Sequence, residues 1–515
     1  MRKLAIGAVI LVMIGFTSCS LLLPERFAVK GPILNSIFGT GIDAPEDTVV
    51  EARFQLPEGF QIELFAEGIQ DGRFLQFSPG GDLLISQPRE GRVLQILRDR
   101  NGDGRSDGQR VFLADLDQPH GLDFHDGHLY IGEGGAIVRV PFTESGPNTL
   151  APAGAPVRIV EGIPSGGNHW SRSPQVGPDG FLYVNVGSSC NVCEEEDPRR
   201  AALLRYNLDG SGEEIFAAGL RNSVDFDWQP GTGRLYATDN GRDLLGDDYP
   251  PCELNHVERG EFYGWPYANG DNRPDPDFGP GNEAKIQDAR TPAHDFRAHN
   301  APLGITFLRH AATPPSLQGA ALVALHGSWN RSELDGYRVV SLHWDARGEI
   351  TERAFLDGFE KDGDVIGRPV DIAEGPDGAI YISDDYAGAI YRVVHDSNAM
   401  AQRSADTQGQ TSLKRPADRP MAVSNPLAAF APAARAALAA QGETLFAQNA
   451  CGSCHVDAQA GPGIVVKELE GLAAKFTVPS LTKFFLTPQP PMPVFDLPEE
   501  ERKALAVHLL SKYPN

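Results

Sequence analysis

Basic residues are in short supply. The 515-residue chain carries 45 Lys and Arg against 69 Asp and Glu, a formal net charge of −24. A surface of that sign repels a phosphate backbone, which excludes nucleic acid as a partner. No apolar run is long enough to span a bilayer: the longest candidate, residues 4–16, falls short of the roughly 20 residues required. Cysteine and methionine are also sparse, with six Cys and five Met, and Met492 is the sole methionine beyond residue 432. Gly and Pro are plentiful, 56 and 40, and imply many turns, which suits an all-β architecture more than a helical one. Helical patterns are confined to the two ends, and the length is too great for one ordinary domain.

The short apolar run follows Arg2 and Lys3 and is followed by Thr17-Ser18-Cys19. A charged head, an apolar stretch and a small-residue exit make an export signal. The end of the segment resembles a lipoprotein processing box, which makes Cys19 the expected lipid anchor, with an uncleaved anchor or simple secretion as alternatives. All three place the mature protein outside the cytoplasm, in a periplasm or on the outer face of a membrane. In that oxidising setting Cys190, Cys193 and Cys252 are not all expected to stay free. Cys190 and Cys193 are the nearest pair, but spacing does not fix the pairing.

Near the C-terminus stands Cys451-Gly-Ser-Cys454-His455, the attachment pattern of a c-type haem. Cys451 and Cys454 would add to the two haem vinyl groups, and His455 would ligate the iron. A zinc site would need a second pair of ligands, and none lies downstream. Met492, in the Pro-rich run 490–493, is the candidate distal ligand. A helix is expected over 433–448. Another is expected to begin at Leu497-Pro498-Glu499, where Pro and acids occupy the first turn. The order helix, CxxCH, Met loop, helix resembles a class I cytochrome c domain.

Between residues 53 and 395 one pattern recurs. A Gly/Pro/Asp turn precedes a short strand, as in Gly177-Pro178-Asp179-Gly180 before Phe181-Leu182-Tyr183 and Gly375-Pro376-Asp377-Gly378 before Ile380-Tyr381-Ile382. Further copies begin near residues 78, 125 and 229, and a degenerate one runs through 320–325. Six such units, each long enough for four strands, predict a six-bladed β-propeller. Residues from 53 to 64 are the candidate closing strand. Residues 396–432 show no apolar period and read as a linker. The expected organisation is therefore mostly β: a signal (1–19), a tether (20–52), a propeller (53–395), the linker, and a small all-α cytochrome c domain (433–515).

The separated motifs Gly166-Gly167-Asn168-His169-Trp170, Gly219-Leu220-Arg221-Asn222, Asp239-Asn240-Gly241-Arg242 and Gly367-Arg368-Pro369 together resemble those of the pyrroloquinoline quinone (PQQ)-dependent sugar dehydrogenases, and most closely their soluble aldose/sorbosone branch. Gly166-Gly167-Asn168-His169-Trp170 carries the position of that family's general base, and a loop imidazole titrating near neutrality suits the task. Arg221 and Asn222 fall on its cofactor-binding pair, since guanidinium groups match the quinone's carboxylates. Arg368 matches a third cofactor contact, while Val370 stands where a further arginine is often found. The resemblance assigns Ca²⁺ to the backbone carbonyls of Gly241 and Arg242. It also places His326 or Arg331 where glucose-oxidising members have a cofactor lysine. The Asp that such members place near Ser188 is missing, so glucose itself is not implied.

The loop 99–107 has acids at early EF-hand spacing, but Arg110 replaces the closing Glu, and a plain turn fits it better.

Together these readings describe an exported quinohaemoprotein. It would oxidise a sugar, a sorbosone-like aldehyde or a polyol with PQQ and Ca²⁺, pass electrons to its own haem c, and serve an acceptor in or at the membrane. The rival is a binding scaffold without PQQ joined to an electron-carrying cytochrome.

Overall fold

The computed structural model describes residues 28–32, 41–395, 427, 430, 432–455, 469, 472, 476, 478–486, 492 and 497–513. The expected signal, Cys19 and most of the linker lie outside them. The chain divides into two compact units after Gly409.

The first unit is a ring of six antiparallel sheets of four strands, one of which carries an extra short strand. Blade 1 contains Leu75–Phe77, Leu83–Gln87, Arg92–Ile96 and Gln109–Leu113, from the inner edge outwards. Blade 2 spans Leu122–His125 to Val157–Glu161, and blade 3 Pro174–Val176 to Glu214–Ala218. Blade 4 runs from Phe226–Trp228 to His294–Phe296, and blade 5 from Pro302–Phe307 to Ile350–Leu356. Blade 6 takes three strands from Pro369–Glu374 to Ala389–His395 and its outer strand, Phe60–Ala66, from the start of the unit. Phe60 pairs with His395 and Leu64 with Tyr391, which closes the ring. The closing strand begins later than the sequence suggests, because Asp47–Arg53 is a short helix.

The Gly-Pro-Asp-Gly turns do the same work twice. Gly180 and Gly378 adopt φ of 78° and 77°, a region that disfavours any side chain. In each turn the first Gly accepts from the last at 2.9 Å, and Asp179 or Asp377 accepts a backbone N–H from the strand that follows.

A strand buried on one face only would alternate apolar and polar residues. Instead Leu83–Gln87, Leu182–Val186, Ala321–Leu325 and Ile380–Asp384 are buried throughout. A blade is covered on both faces, so both residue sets are buried and mainly apolar, with polar exceptions such as Gln87, Asn185 and Asp384. Leu84 and Val93 pack against blade 2, whereas Leu83, Ile85 and Leu94 pack with Tyr381 and Ile390 of blade 6. Such a cluster joins every neighbouring pair of blades.

Buried carboxylates stitch the inner strands together. Asp123 of blade 2 accepts from Val176 N at 2.8 Å, Asp225 of blade 4 from Ile305 N at 3.0 Å, and Asp371 of blade 6 from Leu75 N at 2.8 Å. These bonds satisfy N–H groups that no neighbouring strand pairs. At one end of the central channel Phe74, Val224, Leu303 and Val370, from blades 1, 4, 5 and 6, meet in a buried apolar plug. Val370 is fully buried there, which accounts for a valine where the resemblance led one to look for an arginine.

In the second unit the helices Pro432–Gln448 and Glu499–Lys512 pack closely at Gly442, where a Cβ would lie 2.2 Å from the Ala504 carbonyl. Leu445, Phe446, Leu481, Phe485, Leu505 and Leu509 form its core. Among the described residues no helix is long and apolar enough to cross a membrane.

Candidate active site at the propeller mouth

Every inner strand starts at the same end of the ring, and every second strand, running antiparallel, finishes there. Residues just before an inner strand or just after a second strand therefore converge on one mouth. Arg73, His120, His169, Arg221, Asn222 and Arg368 occupy the first kind of position. Ser188, Asn240, Gly241, His326 and Asp385 occupy the second.

On the side of blades 3 and 4, Gly187 sits between His169 and Asn222. A Cβ on it would lie 2.5 Å from His169 Cβ and 2.9 Å from Asn222 Oδ1. His169 Nδ1 is 2.9 Å from both the carbonyl and the hydroxyl of Ser188. The carbonyl only accepts, and the hydroxyl already donates to the Cys190 carbonyl at 2.8 Å. The ring proton is therefore on Nδ1, and Nε2 presents its lone pair. Among the described residues, Nε2 and the Asn222 side-chain amide have no partner, and they are not sealed from the mouth. Burial, then the positive charge of Arg221, pushes His169 down to about 3, so the imidazole is neutral throughout the physiological range instead of titrating near neutrality.

Arg221 is buried and almost saturated. Its Nε donates to Asn191 O at 2.9 Å and Nη1 to Asn240 O at 2.8 Å; Nη2 donates to Asn191 Oδ1 at 2.9 Å and reaches Asp243 at 3.4 Å. It acts mainly as a fixed charge beside His169, with one Nη1 hydrogen to spare. Asn191 lies in a loop closed by a Cys190–Cys193 disulfide. Cys252 is the remaining buried thiol, pushed up to about 11 by burial.

The carbonyls expected to hold Ca²⁺ follow directly. Among the described residues no donor is bonded to the Gly241 or Arg242 oxygens, so both are available to a hard cation. The Arg242 guanidinium is committed elsewhere, to Asp275 at 2.7 and 2.8 Å and to Asp277 at 2.9 Å.

Across the mouth, His326 Nε2 lies 2.9 Å from Asp385, whose other oxygen accepts from Arg73 Nη1 at 2.5 Å. Burial alone would push Asp385 up, but His326 and Arg73 hold it well below the usual carboxylate range. Burial, then Arg368, lowers His326 to about 4. His326 is thus neutral and offers no cation in place of a lysine. Arg368 donates to the carbonyls of His326 at 3.2 Å and Gly327 at 3.1 Å, and its guanidinium lies 5.8 Å from the Tyr337 ring centre. Arg331 points its donors at Asp247, Asp248 and the Ala298 carbonyl; it pins its own loop and is not gathered with the others.

Three mouth residues escaped the sequence reading. Arg73 Nε and His120 Nε2 are buried with no partner, and the His120 ring contacts Phe74 at 4.3 Å and Trp170 at 5.4 Å. Asp385 is the third. Arg73 and His120 each stand two residues before an inner strand, the register that Arg368 nearly shares, and that register was the available signal.

The loop 99–107 is a self-contained turn. Asp99, Asn101 and Asp103 spend their side-chain oxygens on the loop's own N–H groups.

In the second unit Cys451 N bonds to Phe446 O at 3.1 Å and ends the first helix, and a helical turn Gly452–His455 follows. Cys451 and His455 are therefore four residues apart on one turn. Cys451 and Met492 both pack against the core of this unit. The side chain of Cys454 lies outside the described set.

The family model described as Glucose / Sorbosone dehydrogenase matches residues 155–392. An uncharacterized protein of Borreliella burgdorferi is 32% identical over 362 residues, covering 67% of this chain and 92% of that protein. The fold is also that of the holo pyranose dehydrogenase PQQ domain from Coprinopsis cinerea, at 20% identity and a TM-score of 0.58 over 68% of this chain and 98% of that one. A calcium structure of a Trichoderma reesei Carbohydrate-Active Enzymes Family AA12 protein gives the same TM-score, 0.58, at 20% identity, covering 67% and 97%. With its six blades and a polar mouth built from their strand ends, the chain belongs to the glucose/sorbosone dehydrogenase family of oxidoreductases.

Proposed function

We propose that the protein is an exported quinohaemoprotein dehydrogenase oxidising a sugar-like hemiacetal, a hydrated aldehyde or a polyol. The observation that carries this reading is the pair His169 Nε2 and Asn222 amide, partnerless and held together by Gly187 at the mouth. A neutral imidazole with its proton locked on Nδ1 takes a hydroxyl proton at Nε2. Asn222 orients the same substrate or cofactor edge, and Arg221 and Arg368 keep the mouth positive for an anionic ligand.

The mouth fits PQQ, a planar polyacid. It offers orphaned donors on Arg73, a positive field and two unclaimed carbonyls for Ca²⁺. PQQ, when bound, supplies the hydride acceptor. Cys451, Cys454, His455 and Met492 would hold haem c, a one-electron acceptor on the same chain at high effective concentration. The holo PQQ domain of the Coprinopsis protein and the calcium structure of the Trichoderma protein support the same cofactors. The leader ending at Cys19 supports export with a lipid anchor, and an electron acceptor in or at a membrane would complete the path.

The test is reconstitution of the haem-loaded protein with PQQ and Ca²⁺, followed by a panel of aldoses, aldehydes and polyols. Substrate-driven bleaching of the oxidised haem spectrum is expected, and it should vanish in His169→Ala. An absence of PQQ binding together with silence across the panel would establish the scaffold reading instead.

A further inference from the structure

We propose that the loop closed by the Cys190–Cys193 disulfide is the positioning element of this site, holding the imidazole of His169 through Ser188 and the guanidinium of Arg221 through Asn191. The inference rests on reading His169 as the base.

The loop occupies residues 187–201, between the second and third strands of blade 3, and contains no regular structure of its own. A bridge across a sequence separation of three removes little entropy from the unfolded chain. What it orders is local, and what lies there is the site. Asn191, inside the bridge, accepts from Arg221 Nη2 at 2.9 Å and Asp243 N at 2.8 Å on its side-chain oxygen. Its amide donates to Asp243 O at 3.1 Å, and its main-chain carbonyl accepts from Arg221 Nε at 2.9 Å.

Ser188 receives the His169 ring and is itself anchored to the bridge by its bond to Cys190 O at 2.8 Å, and to blade 4 by its N–H to Arg221 O at 2.8 Å. Asn168 N donates to Ser189 O at 2.9 Å, so the loop also grips the backbone beside the base. Glu195 fixes Ser189 from behind at 2.6 and 2.8 Å. The charged groups acting on His169 are Arg221, Asp243 and Arg172; two of the three touch Asn191. One small covalent ring thus sets where the base sits and which charges face it.

The experiment uses the full chain as Cys190→Ser/Cys193→Ser, as Asn191→Ala, and as wild type treated with a phosphine reductant. The phosphine breaks the S–S bond to two thiols and becomes its oxide. Three readouts are followed: the melting temperature, the His169 imidazole nitrogen signals in cofactor-free protein (assigned with His169→Gln), and turnover of a dye acceptor after PQQ loading.

Opening the bridge should leave the melting temperature within a few degrees, erase the fixed Nδ1–H tautomer, and slow turnover about a hundredfold. Asn191→Ala should keep the tautomer, slow turnover about tenfold, and raise the pH of the acid limb of the rate profile. If the double variant does not fold, the reduced wild type supplies the same readouts. A folded, bridge-free protein with an unchanged His169 signal and unchanged turnover would overturn the proposal, and so would a loss that tracks melting alone. Failure of the wild type to bind PQQ would instead sink the functional reading, and the imidazole signal would still decide this one.

Discussion

The mouth holds two half-buried imidazoles secured in opposite ways. His169 gives its Nδ1 proton to a backbone carbonyl, whereas His326 gives its Nε2 proton to the Asp385 carboxylate, itself clamped by Arg73. A carbonyl fixes a tautomer and adds no charge. A carboxylate would stabilise an imidazolium, yet here its charge is largely answered by Arg73 and Arg368. The first arrangement leaves a clean lone pair beside an uncommitted amide. The second spends its ring on an acid that in turn holds Arg73, while its main-chain carbonyl holds Arg368. On the proposed function, identical side chains in mirrored contexts therefore divide into a reactive group and a structural one.

The division breaks most sharply at His169. His169→Ala should lower kcat/KM by about 10³-fold with haem loading unchanged, the loss expected of a positioned base. Because the lowered value is about 3, the acid limb belonging to this base should lie well below the limb near 6.5 of an ordinary histidine. A rate profile over pH 4–8 that is flat with respect to this group bears that out.

Asp385→Asn should act on stability instead. It strands Arg73 in a nearly buried setting, at a cost of about 3 kcal/mol, visible as a lower denaturant midpoint. His326→Gln should cost less than about tenfold in rate, and a loss as deep as that at His169 would erase the distinction between the rings.

The smallest effect is expected at Asp123, raised to about 7 by burial. A carboxyl with a raised folded value stabilises fully below its unfolded value near 4 and loses that contribution as pH climbs through 7. Asp123→Asn keeps the acceptor for Val176 N and removes the ionisation, so melting temperature should fall less between pH 5 and 8 than in wild type.

Much of this was legible in the chain. The repeated turns gave the blade count because each turn needs a positive-φ glycine, and that constraint is local. His169, Asn222 and Arg368 were singled out by motif, and the fold brings all three to the mouth because each precedes an inner strand. Arg73 and Asp385 were not, because their pairing depends on ring closure, which brings blades 1 and 6 together across some 300 residues, and His120 was not, because its neighbours Phe74 and Trp170 come from the blades on either side. His326 and Arg331 were located, but their partners were invisible: an acid 59 positions away in one case, a loop 83 positions back in the other. Sequence spacing likewise left the disulfide open, although it proves to join the nearest pair.

The apolar cluster of Phe74, Val224, Leu303 and Val370 lies at the starts of the inner strands, directly behind Arg73, Asn222 and Arg368, and so floors the mouth with hydrocarbon. On the proposed function, fuel, spent product and released protons cross one threshold, the polar mouth above that floor. Any soluble electron carrier has to wait at that threshold too, so traffic through it should be sequential, with carrier and fuel excluding one another in steady-state kinetics.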